Sequence, residues 1–319
     1  MRYHFHRLFL VLIPLFIVSQ FYPVYGQYRE YYLYGKVLDP QKEPLADVEI
    51  LLRDIDTSRS YNVKTNKKGE FKLAGLPHGI YKVTFRKEGY ALKEDEWRFE
   101  KSQDTMQRVE IPPIILVSET QLQEMRQLKE MEGAVKEAKE KIRQGDYDEA
   151  IAKLEDVLAK DPKDPNALYL IGMGYSKKQM YTEGIEALTQ VVQLVPNFPP
   201  AHFELAVCYQ NQGDQETALE HYRKTLELDP NNPDAAFNAG LILFGSNEIE
   251  EALALFEKAV SLRPNDPAYL EMTGRCEIHK GNLANAVEYL EKAKTGYVDP
   301  EKIKFLEDLI AKLKEQIKK

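Results

Sequence analysis

Only 2 cysteines and 1 tryptophan occur among 319 residues, and no stretch is rich in lysine and arginine. Two cysteines in so long a chain exclude a disulfide framework and a cysteine-based zinc site. With 43 Lys plus Arg against 51 Asp plus Glu and no basic run, little is available to neutralise a phosphate backbone. Nucleic acid is therefore not an expected partner, and an anionic membrane surface is disfavoured for the same reason. Histidine is scarce as well: His78, His202, His221 and His279 are far apart in sequence, each explained by a turn or a helix surface rather than by catalysis or metal binding. Gly172-Met173-Gly174 lacks the third glycine and the preceding strand of a nucleotide-binding fingerprint. Glu250-Glu251 is a solvated helix face. No catalytic residue, cofactor or metal is assigned, and the chain is expected not to be an enzyme.

Long apolar runs are also missing. Leu8 to Val18 follows Arg2 and Arg7 and stops at Ser19 and Gln20, short of the ~20 residues of a membrane span. This pattern predicts a signal peptide over 1–26, cleaved before Gln27, with no lipid anchor and no stable membrane span after cleavage. The expected destination is outside the cytoplasm: periplasm, cell surface or medium. After cleavage 41 bases face 51 acids, and the imbalance is uneven. Residues 27–117 hold 16 bases and 15 acids, whereas 118–319 hold 25 and 36.

What the sequence does have, from Tyr31 on, is a set of short β-rich runs cut by turns. Strands are expected at Tyr32–Leu38, Val48–Leu52, Ser60–Lys64, Phe71–Leu73, Tyr81–Phe85 and Met106–Ile111, which makes a sandwich over 27–117. Asn66-Lys67-Lys68-Gly69 and Leu76-Pro77-His78-Gly79 are turns in which glycine supplies a positive φ. Alternation directs Tyr81, Val83 and Phe85 to the core and Lys82, Thr84 and Arg86 to water. Gly35-Lys36-Val37, Pro44-Leu45-Ala46-Asp47-Val48 and the run from Thr65 to Val83 resemble the carboxypeptidase regulatory-like domain, a transthyretin-like sandwich. The resemblance implies a non-catalytic accessory, and Asn66, where that family often has Asp, argues against a calcium site. Trp97 with Tyr31, Tyr32, Tyr34, Tyr61 and Tyr90 offers an alternative, a sugar-stacking platform on a carbohydrate-binding accessory protein. Against it stands the usual place of aromatics in a small sandwich, its core.

Beyond residue 118 the chain repeats. Pro162, Pro196, Pro230 and Pro264 are spaced by 34, and in the same register fall Ala150, Gly184, Ala218, Ala252 and Ala286, and Ala138, Gly172, Ala206, Gly240 and Gly274. Small residues at two fixed places let two helices approach closely, and Gly145-Asp146, Gly213-Asp214 and Gly281-Asn282 end one helix and cap the next. These features resemble the tetratricopeptide repeat (TPR). Five units are expected over 131–300, an all-α solenoid after an all-β sandwich, preceded by a connecting helix over 118–130. A C-terminal capping helix over 301–319 presents Ile303, Leu306, Ile310, Leu313 and Ile317 on one face.

A second apolar face recurs along this array. Tyr169 and Met173, Phe203 and Val207, and Phe237, Leu241 and Phe244 lie about four residues apart on each first helix and 34 apart between units. The resemblance implies that this face lines a concave groove, and these seven residues are the candidate partner-binding set, suited to an apolar peptide or helix. The places from which that family grips a C-terminal carboxylate hold Val135, Tyr169, Met173, Phe203 and Val207, with only Lys139 and Arg275 at the ends, so that use is not implied. The expected function is a protein interaction scaffold. The rival is a self-associating structural or cell-surface assembly, in which a second copy fills the groove.

Overall fold

The structure is a computed structural model that describes residues 30–101 and 106–318. The segment expected to be a signal peptide lies outside them. The chain divides into two compact units, Met1–Arg126 and Gln127–Lys319.

The first unit holds eight strands: β1 (Glu30–Leu38), β2 (Glu49–Asp54), β3 (Ser60–Lys64), β4 (Glu70–Pro77), β5 (Gly79–Arg86), β6 (Lys93–Phe99), β7 (Met106–Glu110) and β8 (Ile114–Ile115). They form two sheets, one ordered β4-β1-β7 with β8 also on β1, the other β3-β2-β5-β6. Between the sheets lie Leu33, Val37, Val48, Ile50, Leu52, Phe71, Leu76, Tyr81, Val83 and Phe85, all buried. The alternation in β1, β2 and β5 is what a sandwich with one wet face requires. Asn66 Oδ1 accepts from the backbone N–H of Lys68 (2.8 Å) and Glu70 (3.0 Å), closing the turn whose Gly69 has φ 69°.

Three expectations are corrected here. Gly79 does not have a positive φ; the left-handed glycine is Gly75, φ 77°, beside the register shift between Tyr31 and Leu33. Gly79 is small for another reason, since a Cβ there would stand 3.0 Å from Asp54 Oδ2. Thr84 is buried although it alternates with the core residues. An extra strand, β6, pairs along its whole length with β5.

In the second part of the chain come α1 (Glu119–Gln144), α2 (Tyr147–Lys160), α3 (Pro165–Lys177), α4 (Tyr181–Leu194), α5 (Pro199–Gln212), α6 (Gln215–Leu228), α7 (Pro233–Gly245), α8 (Ile249–Leu262), α9 (Pro267–His279), α10 (Leu283–Gly296) and α11 (Pro300–Ile317). A capping box starts α1: the Gln121 N–H donates to Ser118 Oγ (3.1 Å) and the Ser118 N–H to Gln121 Oε1 (3.2 Å). Helices α3, α5, α7, α9 and α11 each start on a proline, and Asp164, Asn232, Asp266 and Asp299 cap four of them through their side chains. The architecture is thus an all-β sandwich followed by an all-α solenoid of helical hairpins.

Each hairpin closes where the sequence keeps a small residue. A Cβ on Gly172 would meet Leu188 Cγ at 2.5 Å, on Gly240 Phe256 Cε1 at 2.7 Å, and on Gly274 Leu290 Cγ at 2.9 Å. The first helices of units one, three and five end on left-handed Gly145, Gly213 and Gly281; in units two and four the same place is taken by Gln179 (φ 62°) and Asn247 (φ 64°). A Cβ in that conformation is strained, so Gln179→Gly is expected to stabilise the array by about 0.5 to 1 kcal/mol. A urea melt checks it; an unchanged or lower midpoint refutes it. At the end of the array α11 buries Leu306, Ile310 and Leu313 against Ala286, Leu290 and Ala293 of α10.

Candidate functional site

The seven candidate residues are all half-buried. Spaced by one turn on α3, α5 and α7, they recur on one face of each first helix, and each touches a repeat core. Tyr169 and Met173 pack on the core around Ala138, Ile142 and Ile171. Phe203 and Val207 pack beside Ala206 and Tyr222, and Phe237, Leu241 and Phe244 beside Leu243 and Phe256. The rings form edge contacts: Tyr169 on Phe198 (5.2 Å between centroids), Phe203 on Tyr222 (5.8 Å) and Phe244 on His279 (5.2 Å). Phe237 lies between Phe256 (5.6 Å) and Tyr269 (4.7 Å). These rings pave seams within and between units while part of each stays open. Burial pushes the Tyr169 hydroxyl up to about 12, with the nearby Glu204 adding to the shift.

The stripe ends abruptly in the fifth unit, where Glu271 and Arg275 stand 34 residues after Phe237 and Leu241. Arg275 donates to Glu271 through Nε (2.9 Å) and Nη2 (2.8 Å), Lys302 of α11 through Nζ (2.9 Å), and the Tyr297 hydroxyl at 2.7 Å. Arg275 and Lys302 also lie 5.7 and 5.8 Å from the Phe305 ring centroid. Another acid at the array, Asp234, is gripped by both Arg263 Nη atoms (2.8 and 2.9 Å) and by the Tyr269 hydroxyl (2.6 Å).

Two groups escaped the sequence reading. His202 and His221 are 19 residues apart in sequence, yet their Nδ1 atoms are 3.1 Å apart, and His202 is buried rather than on a helix surface. His202 Nε2 lies 2.9 Å from the Pro196 carbonyl and so donates to it. Its Nδ1 is then the acceptor for His221 Nδ1–H. Tyr209 stacks on His221 at 5.7 Å. Burial, then His202, lowers the His221 pKa below its ordinary 6.5. The unfolded chain therefore takes up a proton near 6.5 that the folded chain refuses: this contribution is whole above 6.5 and is lost as pH falls toward the lower folded value. The melting temperature of the array is expected to drop between about pH 7 and pH 5.5, and His221→Gln to flatten that slope. A slope identical in the variant would refute it. The second missed group is Glu204, buried between α3 and α5 where Leu170 and Met272 stand in other units. Aligning the units in register is the signal that reveals it.

The tyrosine and tryptophan set of the sandwich is not assembled on one surface. Tyr31 is buried, and Trp97 lies against Phe71 (6.4 Å) and Phe85 (5.9 Å) with its Nε1 donating to Asp95 Oδ2 at 3.2 Å. Cys208 and Cys276 are buried free thiols, and burial pushes Cys276 up to about 11. Among the described residues no group of three or more His, Cys, Asp and Glu is placed to hold a metal, and no helix is long and apolar enough to cross a membrane.

Comparison with known families agrees with this architecture. Residues 33–112 match the carboxypeptidase regulatory-like domain. Tetratricopeptide-repeat models match residues 135–173 and 237–297, 166–197, and 199–232. No curated protein matches the sequence. Similar solved structures include MamA, 24% identical over 53% of this chain and 92% of that one, TM-score 0.48. They also include MamA of Desulfovibrio magneticus RS-1 (21%, 52% and 94%, 0.48) and YrrB, described as a TPR protein with an unusual peptide-binding site (21%, 55% and 90%, 0.48).

Proposed function

For a chain that joins a carboxypeptidase regulatory-like domain to a tetratricopeptide-repeat array, we propose an exported, non-catalytic scaffold whose repeat groove receives an apolar peptide or helix. The observation that carries this reading is the stripe itself. Seven apolar side chains on three successive first helices each use one side for a repeat core and leave the other open. A repeat array needs the first contact for its own stability; the open side is surplus. Exposed apolar anchors of this kind are what dominate partner affinity.

Phe203→Ala and Phe237→Ala are each expected to weaken peptide binding by about 2 kcal/mol or more. Isothermal titration with peptides selected on the purified chain measures it. Both rings also pack on Tyr222 or Phe256, so Leu241→Ser, which strips open apolar area with less loss of packing, runs alongside with a thermal melt of each variant. Unchanged binding in all three would remove the groove from the account.

The second reading, a self-associating assembly subunit, is favoured by Leu128 and Phe305, 60% and 48% exposed near the two ends of the array. Light scattering over a wide concentration range separates the two. A monomer leaves the groove open to a different protein, whereas an oligomer makes the chain its own partner.

A further inference from the structure

Glu204 is an acid at a position where the architecture asks for none. In the 34-residue register its equivalents are the exposed Lys136 of the first, terminal unit and Leu170, Asn238 and Met272. Its side chain is 8% exposed and lies in the crevice where α5 meets α3. Ser176, on α3 one turn beyond Met173, and Lys177 beside it are its polar neighbours, and both favour the charged form. The carboxylate is felt in turn by Tyr169 of the stripe and by Tyr222 and Cys208. A carboxylate offers about four acceptor sites, and a lone serine beside it leaves most of them idle.

Keeping such a group in a seam is costly unless something pairs with it. Burial raises its pKa in the chain as it stands, the response of a carboxyl that lacks a cation. Elsewhere on the array Asp234 has Arg263 and Glu271 has Arg275 and Lys302, while the buried Glu277 accepts a 2.7 Å hydrogen bond from Asn282 Nδ2. Among the described residues no Lys or Arg forms an ion pair with Glu204. Its neighbours along the helix are stripe residues, Phe203 beside it and Val207 one turn on. The array as a whole is acidic, 25 bases against 36 acids over 118–319, so a basic group is drawn toward it.

Resting on the groove reading above, we propose that Glu204 is the point at which the groove recognises a cation. The occupant is an apolar segment that carries one Lys or Arg, and that side chain reaches down beside Tyr169 to the Glu204 carboxylate. The apolar anchors supply most of the affinity. The buried acid rejects segments with no cation at that place, because they leave it both dry and unpaired.

A random dodecapeptide phage library panned on the purified chain tests this, with Glu204→Gln as the parallel bait. Gln keeps the size and the Ser176 contact and removes the charge, and a thermal melt confirms its fold. Peptides won on the unaltered chain are expected to place one basic residue among apolar ones, whereas those won on Glu204→Gln keep the apolar frame and lose the basic residue. Replacing that Lys by norleucine in a synthetic peptide is expected to weaken binding about tenfold to the unaltered chain and not at all to Glu204→Gln. Two results overturn the proposal and spare the groove: peptides sensitive to Phe203→Ala but without basic enrichment, or an equal norleucine loss in both baits. If no peptide is won, or if every peptide is indifferent to Phe203→Ala and Phe237→Ala, the groove reading itself falls and takes this one with it.

Discussion

Phe256→Ala is expected to destabilise the repeat array by about 3 to 5 kcal/mol, the cost of emptying the place of a large, fully buried ring. Phe256 has no exposed surface, and it fills the space over Gly240. The two residues are a matched pair: a Cβ on Gly240 would come within 2.7 Å of the ring. Unit one solves the same problem differently, with Ala138 and Leu154 at the corresponding places, both fully buried. Gly240→Ala alone should cost about 1 to 3 kcal/mol by overpacking, and Phe256→Leu alone about 1 kcal/mol or more through the cavity it leaves. Combined they recreate the pair of unit one. The double variant is therefore expected to lose less than the sum of the singles, by about 1 kcal/mol, in a urea double-mutant cycle. Strict additivity would show that the glycine and the ring are not coupled.

The second large effect is at the end of the stripe. Glu271→Ala is expected to cost about 2 to 4 kcal/mol, because it strands Arg275, Lys302 and the Tyr297 hydroxyl around an empty place. The Glu271 side chain is only 5% exposed, while Arg275 and Lys302 keep about a third of theirs in water, which holds the figure below that of a wholly buried pair. Lys302 is the member on α11, so the loss should appear as faster amide exchange at Leu306, Ile310 and Leu313. Burial alone would raise the Glu271 pKa, but hydrogen bonds from Lys302, Tyr297 and Arg275 outweigh it and hold the carboxyl below its ordinary 4.5. This stabilisation is accordingly complete above pH 4.5 and is lost as pH falls through the lower folded value. Exchange on α11 that ignores both the substitution and acid would refute this account.

The repeat hairpins were legible because their determinants are local and periodic: a proline, a small residue on each helix, a turn glycine. The gap in that pattern was equally local, since Gln179 and Asn247 adopt a glycine-like conformation that no composition rule announces. Strand β6, Lys-Glu-Asp-Glu-Trp-Arg-Phe, was illegible. As an edge strand it buries only Phe99 fully, and its charges suit the open side of the sheet, so the alternation that marks a strand is weak. For the site, the spacing of Tyr169, Phe203 and Phe237 located the stripe, but how much of each ring the array itself consumes depends on Phe198, Tyr222 and Tyr269. The pairing of His202 with His221, and of Glu271 with Lys302, joins side chains across helices. Only the in-register comparison, with Glu204 against Leu170, would have pointed to a residue that packing does not explain.

The two units also differ in how far apart in the chain their contacts are, and this sets when each can form. In the array a helix packs on the next one or two, and even the link from Tyr269 to Asp234 spans only 35 residues. In the sandwich β1 is central to its sheet, yet one of its neighbours is β7, with Glu30 paired to Met106 and Tyr34 to Glu110. A growing chain therefore reaches residue 106 with β1 still lacking that partner, and the loop that must close is more than twice a repeat in length. Each hairpin of the array can settle as soon as its second helix is made, because little entropy is spent on closing short loops. The slow step in acquiring the native state is thus expected to belong to the smaller unit, and to the late arrival of β7 and β8 beside β1.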